Sequence, residues 1–142
     1  MSAARADYAH RLAIPTRWND NDVYGHVNNV EYLAFFDTVI NRWLIEEGGL
    51  DIADGPVIGL CAESGCTYHA PLVFPQVIDA CLRVAHLGRT SVRYEVGLFA
   101  EGSDEPAGTG HFVHVFVDRA TRTPKPIEGP LRAALERLAI LA

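Results

Sequence analysis

Apolar positions along this chain follow two periods. Between Val30 and Leu44 they recur at Val30, Leu33, Phe36, Ile40, Trp43 and Leu44, the three-and-four spacing that gathers side chains on one face of an α-helix. Phe35, Val39 and Ile45 widen the stripe, and only Glu31, Thr38 and Arg42 mark a shallow polar side, so the spacing predicts a largely enclosed helix over Val30–Glu47. Asn28 or Asn29 can cap its start. With Asn28 as the cap, Glu31 takes the third helical position and completes a capping-box arrangement. Gly48-Gly49 ends the helix.

Elsewhere the period is two. His10 to Arg17 reads as a first strand with Leu12 and Ile14 on one face, and Pro56 to His69 opens with the apolar run Val57 to Ala62. Val77 to His86 alternates through Ile78, Ala80, Leu82 and Val84, and Ser91 to Glu101 through Val92, Tyr94, Val96 and Leu98. Leu87-Gly88-Arg89-Thr90 and Gly102-Ser103-Asp104-Glu105-Pro106 supply turns between them. Thr109 to Asp118 is apolar on both faces, as expected of a strand covered on both sides, and Leu131 to Leu141 closes as a short helix after Pro130. The order predicts an α+β domain spanning 1–142: an antiparallel sheet of about five strands wrapped around one long central helix, with a short C-terminal helix. Sheet edges left over in such a domain are commonly sealed by a second copy, which predicts a homo-oligomer.

Composition narrows the function classes. The 142 residues carry 49% hydrophobic and 21% charged side chains, and 12 basic against 18 acidic residues leave a net charge of −6. A nucleic-acid or anionic-membrane binder shows a basic surplus instead, so neither partner is expected. No stretch approaches the ~20 apolar residues that cross a bilayer. Met1 to Arg11 has no apolar core and does not read as a signal peptide, which makes a cytoplasmic address the default. Cys61, Cys66 and Cys81 lack metal-ligand spacing and read as reduced, mostly packed thiols; no metal and no cofactor is called for.

Directly before the long helix stands Asp20-Asn21-Asp22-Val23-Tyr24-Gly25-His26-Val27-Asn28, continued by Asn29. A carboxylate held beside the partly positive N–H groups of a helix start suits attack on a carbonyl. The carboxylate activates or supplies the nucleophile, and the N–H groups receive the developing negative oxygen.

Arg17-Trp18-Asn19-Asp20-Asn21-Asp22-Val23-Tyr24-Gly25-His26-Val27-Asn28-Asn29, followed by Tyr32 and Phe36, resembles the signature of the 4-hydroxybenzoyl-CoA thioesterase-like family, the hotdog-fold acyl-CoA thioesterases. The strand order continues the resemblance, with Leu87 to Ser91 similar to the family's turn and Val115-Phe116-Val117-Asp118 to its last strand. The resemblance implies hydrolysis of an acyl-CoA to acid and CoA, without a metal, by dimers or tetramers with active sites between subunits. It implies that Asp22 is the catalytic carboxylate, as nucleophile or general base, and that the helix-start N–H of Asn29 polarises the thioester carbonyl. At Gly25-His26-Val27-Asn28-Asn29 the chain departs from the benzoyl-specific branch and looks more like the branch acting on fatty or other aliphatic acyl groups.

Other candidates carry two readings each. The Asp20 carboxylate is catalytic or bonds loop amides. His26 orients Asp22 or the water, or is held by backbone. Tyr32 and Phe36, one turn apart, line an acyl tunnel or fill the helix core. Arg89 and Arg93 near one turn, and Arg119, Arg122 and Lys125 after the last strand, bind CoA phosphates or are merely solvated. His69, His86, His111 and His114 lie on predicted strands without metal-ligand spacing and read as packing or surface residues. Two rival functions stand beside hydrolysis: a hotdog hydratase or dehydratase on acyl thioesters, for which Asp22 with His26 is a poor acid–base pair, and a non-catalytic acyl-thioester or lipid-binding module.

Overall fold

Strict alternation in the central strands decides which face of the sheet receives the long helix. The computed structural model describes residues 3–139. Its elements run β1 (His10–Pro15), α1 (Asn29–Glu46), β2 (Val57–Tyr68), β3 (Val77–Leu87), β4 (Ser91–Ala100), β5 (Pro106–Asp118) and α2 (Gly129–Leu138), with 3₁₀ turns at Arg5–Asp7 and Trp18–Asp20. The five strands form one sheet in the order β1-β3-β4-β5-β2, antiparallel throughout. This is the expected hotdog arrangement of a sheet packed on one long helix.

Ile78, Ala80, Leu82 and Val84 of β3 and Val92, Tyr94, Val96 and Leu98 of β4 share the inner face and are at most 1% exposed. Against them α1 sets Tyr32, Phe35, Phe36, Val39, Ile40, Trp43 and Leu44. Two glycines of β5 let the helix come close. A Cβ on Gly108 would lie 2.8 Å from the Tyr32 ring, and one on Gly110 would lie 2.4 Å from the Phe36 ring and 2.1 Å from the Gly65 carbonyl. The aromatic rings of the first helical turns therefore rest on bare strand backbone.

The helix is enclosed on one side only. Val30 is 67% exposed and Ile45 44%, because at 3.6 residues per turn both share a face with Ala34, Asp37 and Asn41. An apolar count alone places them in the core. β2, one of the two edge strands, is exposed or half-buried throughout. On β5, Phe112, His114 and Phe116 are buried while Val113 and Val115 are only half-buried, so within one chain the outer face is not fully covered. Cys81 is buried and Cys66 half-buried, and burial raises both thiols to about 11; Cys61, on β2, is exposed instead of packed. The closing helix stops at Leu138, and its expected continuation to Leu141 falls beyond residue 139, outside the described residues. No described helix is long and apolar enough to cross a membrane.

His114 is a buried imidazole among the core aromatics. It is 3% exposed, stands edge-on to the rings of Tyr94, Phe112 and Phe116, and its Nδ1 lies 3.3 Å from the Tyr94 hydroxyl. Burial favours the neutral ring and holds its pKa down to about 4. The unfolded chain, with an ordinary imidazole near 6.5, binds a proton that the folded chain refuses, so this term is absent above pH ~6.5 and destabilises progressively as pH falls toward 4. Urea unfolding should show a loss of about 3 kcal/mol across that window, and His114→Asn should flatten the same limb of the stability curve.

Candidate active site

The chain leaving β1 must turn from sheet to helix, and residues 16–28 make that turn. Thr16 is 5% exposed and its hydroxyl bridges the Val73 and Gln76 carbonyls at 2.9 and 3.1 Å, fastening the end of β1 to the segment before β3. Asp20 is wholly buried. Its Oδ2 accepts the Arg17 N–H at 2.7 Å, and its Oδ1 accepts the Arg17 guanidinium at 3.1 and 2.8 Å. The Asp20 carbonyl accepts the Asn28 N–H at 2.7 Å, and the Asp22 N–H donates to the His26 carbonyl at 2.8 Å. Asn21 pairs with Val27 between them. Residues 20–28 thus form a short hairpin whose second leg runs directly into α1. Its tip requires Gly25, at φ +80°.

Within that hairpin the half-buried Asp22 carboxylate accepts the Tyr24 N–H at 2.8 Å and, more distantly, the His26 N–H at 3.4 Å through one oxygen. Beside it lies a hollow of about 560 Å³ lined by Trp18, Asn19, Asn21, Asp22, Val23 and Gly25. At the helix start, Asn28 is the cap: its side chain accepts the Val30 N–H at 3.1 Å and its carbonyl the Glu31 N–H at 2.9 Å. The Asn29 N–H, the first of the helix, has no hydrogen-bond acceptor among the described residues. The capping box does not form. The Asn28 N–H is already spent on Asp20, and the Glu31 carboxylate sits 3.8 Å from the Arg17 guanidinium.

The other predicted residues divide. His26 is exposed and contributes main-chain bonds to the hairpin; its imidazole has no partner among the described residues. Tyr32 and Phe36 are sealed in the core at 3% and 0% exposure. The Tyr32 hydroxyl donates to the Ala70 carbonyl at 3.1 Å, and within one chain neither ring opens onto the Asp22 hollow. Arg89 is exposed on the β3–β4 turn. The hairpin stands at the other end of the sheet, where Pro15 pairs with Val77, so one chain does not bring Arg89 to Asp22.

Arg119 is structural: its guanidinium donates to the Gly55 and Ile52 carbonyls at 2.6 Å each. His69 bonds Thr109 at 2.8 Å and His111 bonds Glu63 at 2.7 Å. No group of side chains suited to a metal occurs among the described residues. Pattern reading missed Trp18 and Val23 as walls of the hollow, since neither belongs to an amphipathic run; the unusual signal was a large aromatic inside an otherwise polar turn.

The model of the thioesterase-like superfamily matches residues 16–135. Among solved structures, the chain is similar to the PA5185 protein of Pseudomonas aeruginosa strain PAO1, with 55% identity over 98% of this chain and 97% of that one and a TM-score of 0.95. It is also similar to the PA2801 protein of Pseudomonas aeruginosa, named there as a proposed thioesterase, with 31% identity, coverage of 90% and 98%, and a TM-score of 0.84. The DHNA-CoA thioesterase of Staphylococcus aureus, 19% identical over 82% of this chain and 78% of its own, shares the fold at a TM-score of 0.73. No curated protein matches the chain.

Removal of the Asp20 carboxylate takes away three bonds made to Arg17 inside the hairpin. Asp20→Ala should cost about 3 kcal/mol in denaturant unfolding, a loss that Arg17, already largely solvated, does not recover.

Proposed function

The chain belongs to the thioesterase-like superfamily and is a thioester hydrolase, and we propose that its substrate is an acyl-CoA with an aliphatic acyl group, cleaved to the free acid and CoA. Asp22 acts as nucleophile or as general base toward water. In the base form, the carboxylate takes a proton from water as the water oxygen bonds the carbonyl carbon. The carbonyl electron pair moves onto oxygen, where the Asn29 N–H receives it. Collapse of that oxyanion expels the CoA thiolate, which takes up a proton.

One observation carries the reading. The first amide of α1, Asn29, has no acceptor among the described residues, although its neighbours Val30 and Glu31 are both satisfied by the cap. An amide left free at the positive end of an 18-residue helix is a ready donor for developing negative charge. It follows the hairpin that holds Asp22 beside an open hollow. His26 serves through its main chain, closing the hairpin around the carboxylate. Burial of Tyr32 and Phe36 speaks for a core role in place of direct acyl contact, and the place of Arg89 speaks against phosphate binding to the same chain's site.

We propose further that the chain is a homodimer or homotetramer. β2 offers an edge of 12 residues with little cover, and Trp18, Val23, Tyr24 and Val30 leave exposed apolar surface near the hairpin. Light scattering at micromolar concentration should give at least twice the chain mass, and a clean monomer would refute the assembly.

Asp22→Asn tests the chemistry. Release of CoA thiol from an acyl-CoA panel should drop about 10³-fold while the thermal midpoint stays near that of the wild type, because the side-chain oxygen that braces Tyr24 is retained. Thiol release at an undiminished rate would remove Asp22 from the reaction. Enoyl-CoA hydration without thiol release would favour the hydratase.

A further inference from the structure

The acyl group of any thioester attacked beside Asp22 begins at the reacting carbon, so its first carbons must leave through the walls of that hollow. Six residues line it, and only Trp18 and Val23 present extended apolar side chains. Both are free within the chain: Trp18 is 73% exposed and Val23 93%. The indole is nevertheless braced. Phe74 stands edge-on to it at 6.0 Å between ring centroids, with an interplanar angle of 70°, and the 3₁₀ turn that carries it is closed by the Asn21 N–H on the Trp18 carbonyl at 3.2 Å. The other aromatic candidates for an acyl wall, Tyr32 and Phe36, are sealed under α1.

We propose that Trp18 is a specificity-determining residue that receives the acyl chain of the substrate and sets the preference for chain length. The inference rests on Asp22 as the reacting carboxylate. A chain laid along the indole removes apolar area from water in proportion to its length, so each added methylene contributes until the chain outruns the ring. A large aromatic beside a carboxylate and two amide side chains, Asn19 and Asn21, suits a ligand with an apolar end next to a polar reacting group. Charge does not compete for this wall. The neighbouring Arg17 guanidinium is engaged by Asp20 at 2.8 Å and lies 3.8 Å from Glu31.

The test compares kcat/KM for acetyl-, hexanoyl- and decanoyl-CoA in wild type and Trp18→Ala, with oligomer size followed by size-exclusion chromatography. The decanoyl-to-acetyl ratio should fall at least ~10-fold in the variant. In a Trp43→Phe background, where Trp18 is the remaining indole, a non-hydrolysable decanoyl-CoA thioether should shift emission to the blue, and an acetyl thioether should shift it less. A loss equal at all three chain lengths would overturn the assignment, since the indole would then meet the CoA arm. So would dissociation of the assembly in parallel with the loss, or an unmoved emission. Asp22→Asn assayed alongside keeps the two ideas apart. Wild-type rates in that variant would remove the premise, whereas an inactive Asp22→Asn together with an unchanged chain-length ratio in Trp18→Ala would overturn Trp18 alone.

Discussion

The buried carboxylate of Asp20 is the constraint on which the rest of this molecule's site depends. It sits in the dry turn between β1 and α1, where an unpaired charge would be intolerable, and it is satisfied entirely by Arg17 from the residue's own turn. Its main-chain carbonyl meanwhile holds the Asn28 N–H, the last amide before the helix. One residue therefore ties the closing of the loop to the starting point of α1. Asp22, two residues on, inherits a defined place on the hairpin, and Asn29, one past the cap, is the amide that the arrangement leaves over.

Much of this was legible in the sequence. The alternation of β3 and β4 named their buried faces residue by residue, and the motif before the long helix marked the loop that leads into the helix start. What was not legible concerns three-dimensional sharing. A donor can be used once, and the Asn28 N–H was claimed by Asp20 across the hairpin, so the local capping box with Glu31 lost to a contact that no window of neighbouring residues contains. Val30 and Ile45 counted as apolar but lie on the helix face of Asp37 and Asn41. The rings of Tyr32 and Phe36 stayed open between tunnel and core, because spacing cannot distinguish a wall from a filling.

The two edges of the sheet are unequal. β1 is short, and the Arg5–Asp7 turn lies over the strands beside it, where the Arg5 guanidinium bonds Asp79 of β3 and sits over Phe99 of β4 at 4.7 Å. β2 is long, bulged between Cys61 and Glu63, and bare. Long bare edges are normally blunted by charge, bulges or a covering element. Here the bulge and the Glu63 side chain, held by His111 at 2.7 Å, supply partial protection while leaving both ends of the strand open.

Gly108 and Gly110 have a bearing on how such a protein changes over generations. Because the helix rings press on strand backbone there, trimming Phe36 or Tyr32 would hollow out a closed void under the helix at a cost of several kcal/mol, without lengthening any passage to the surface. The solvated tip of the hairpin carries no comparable penalty: Val23 and Tyr24 are 93% and 81% exposed. On the proposed site, new substrate ranges are thus cheaper to reach at the hairpin than by recarving the interior, and the scaffold can remain constant while its appetite drifts.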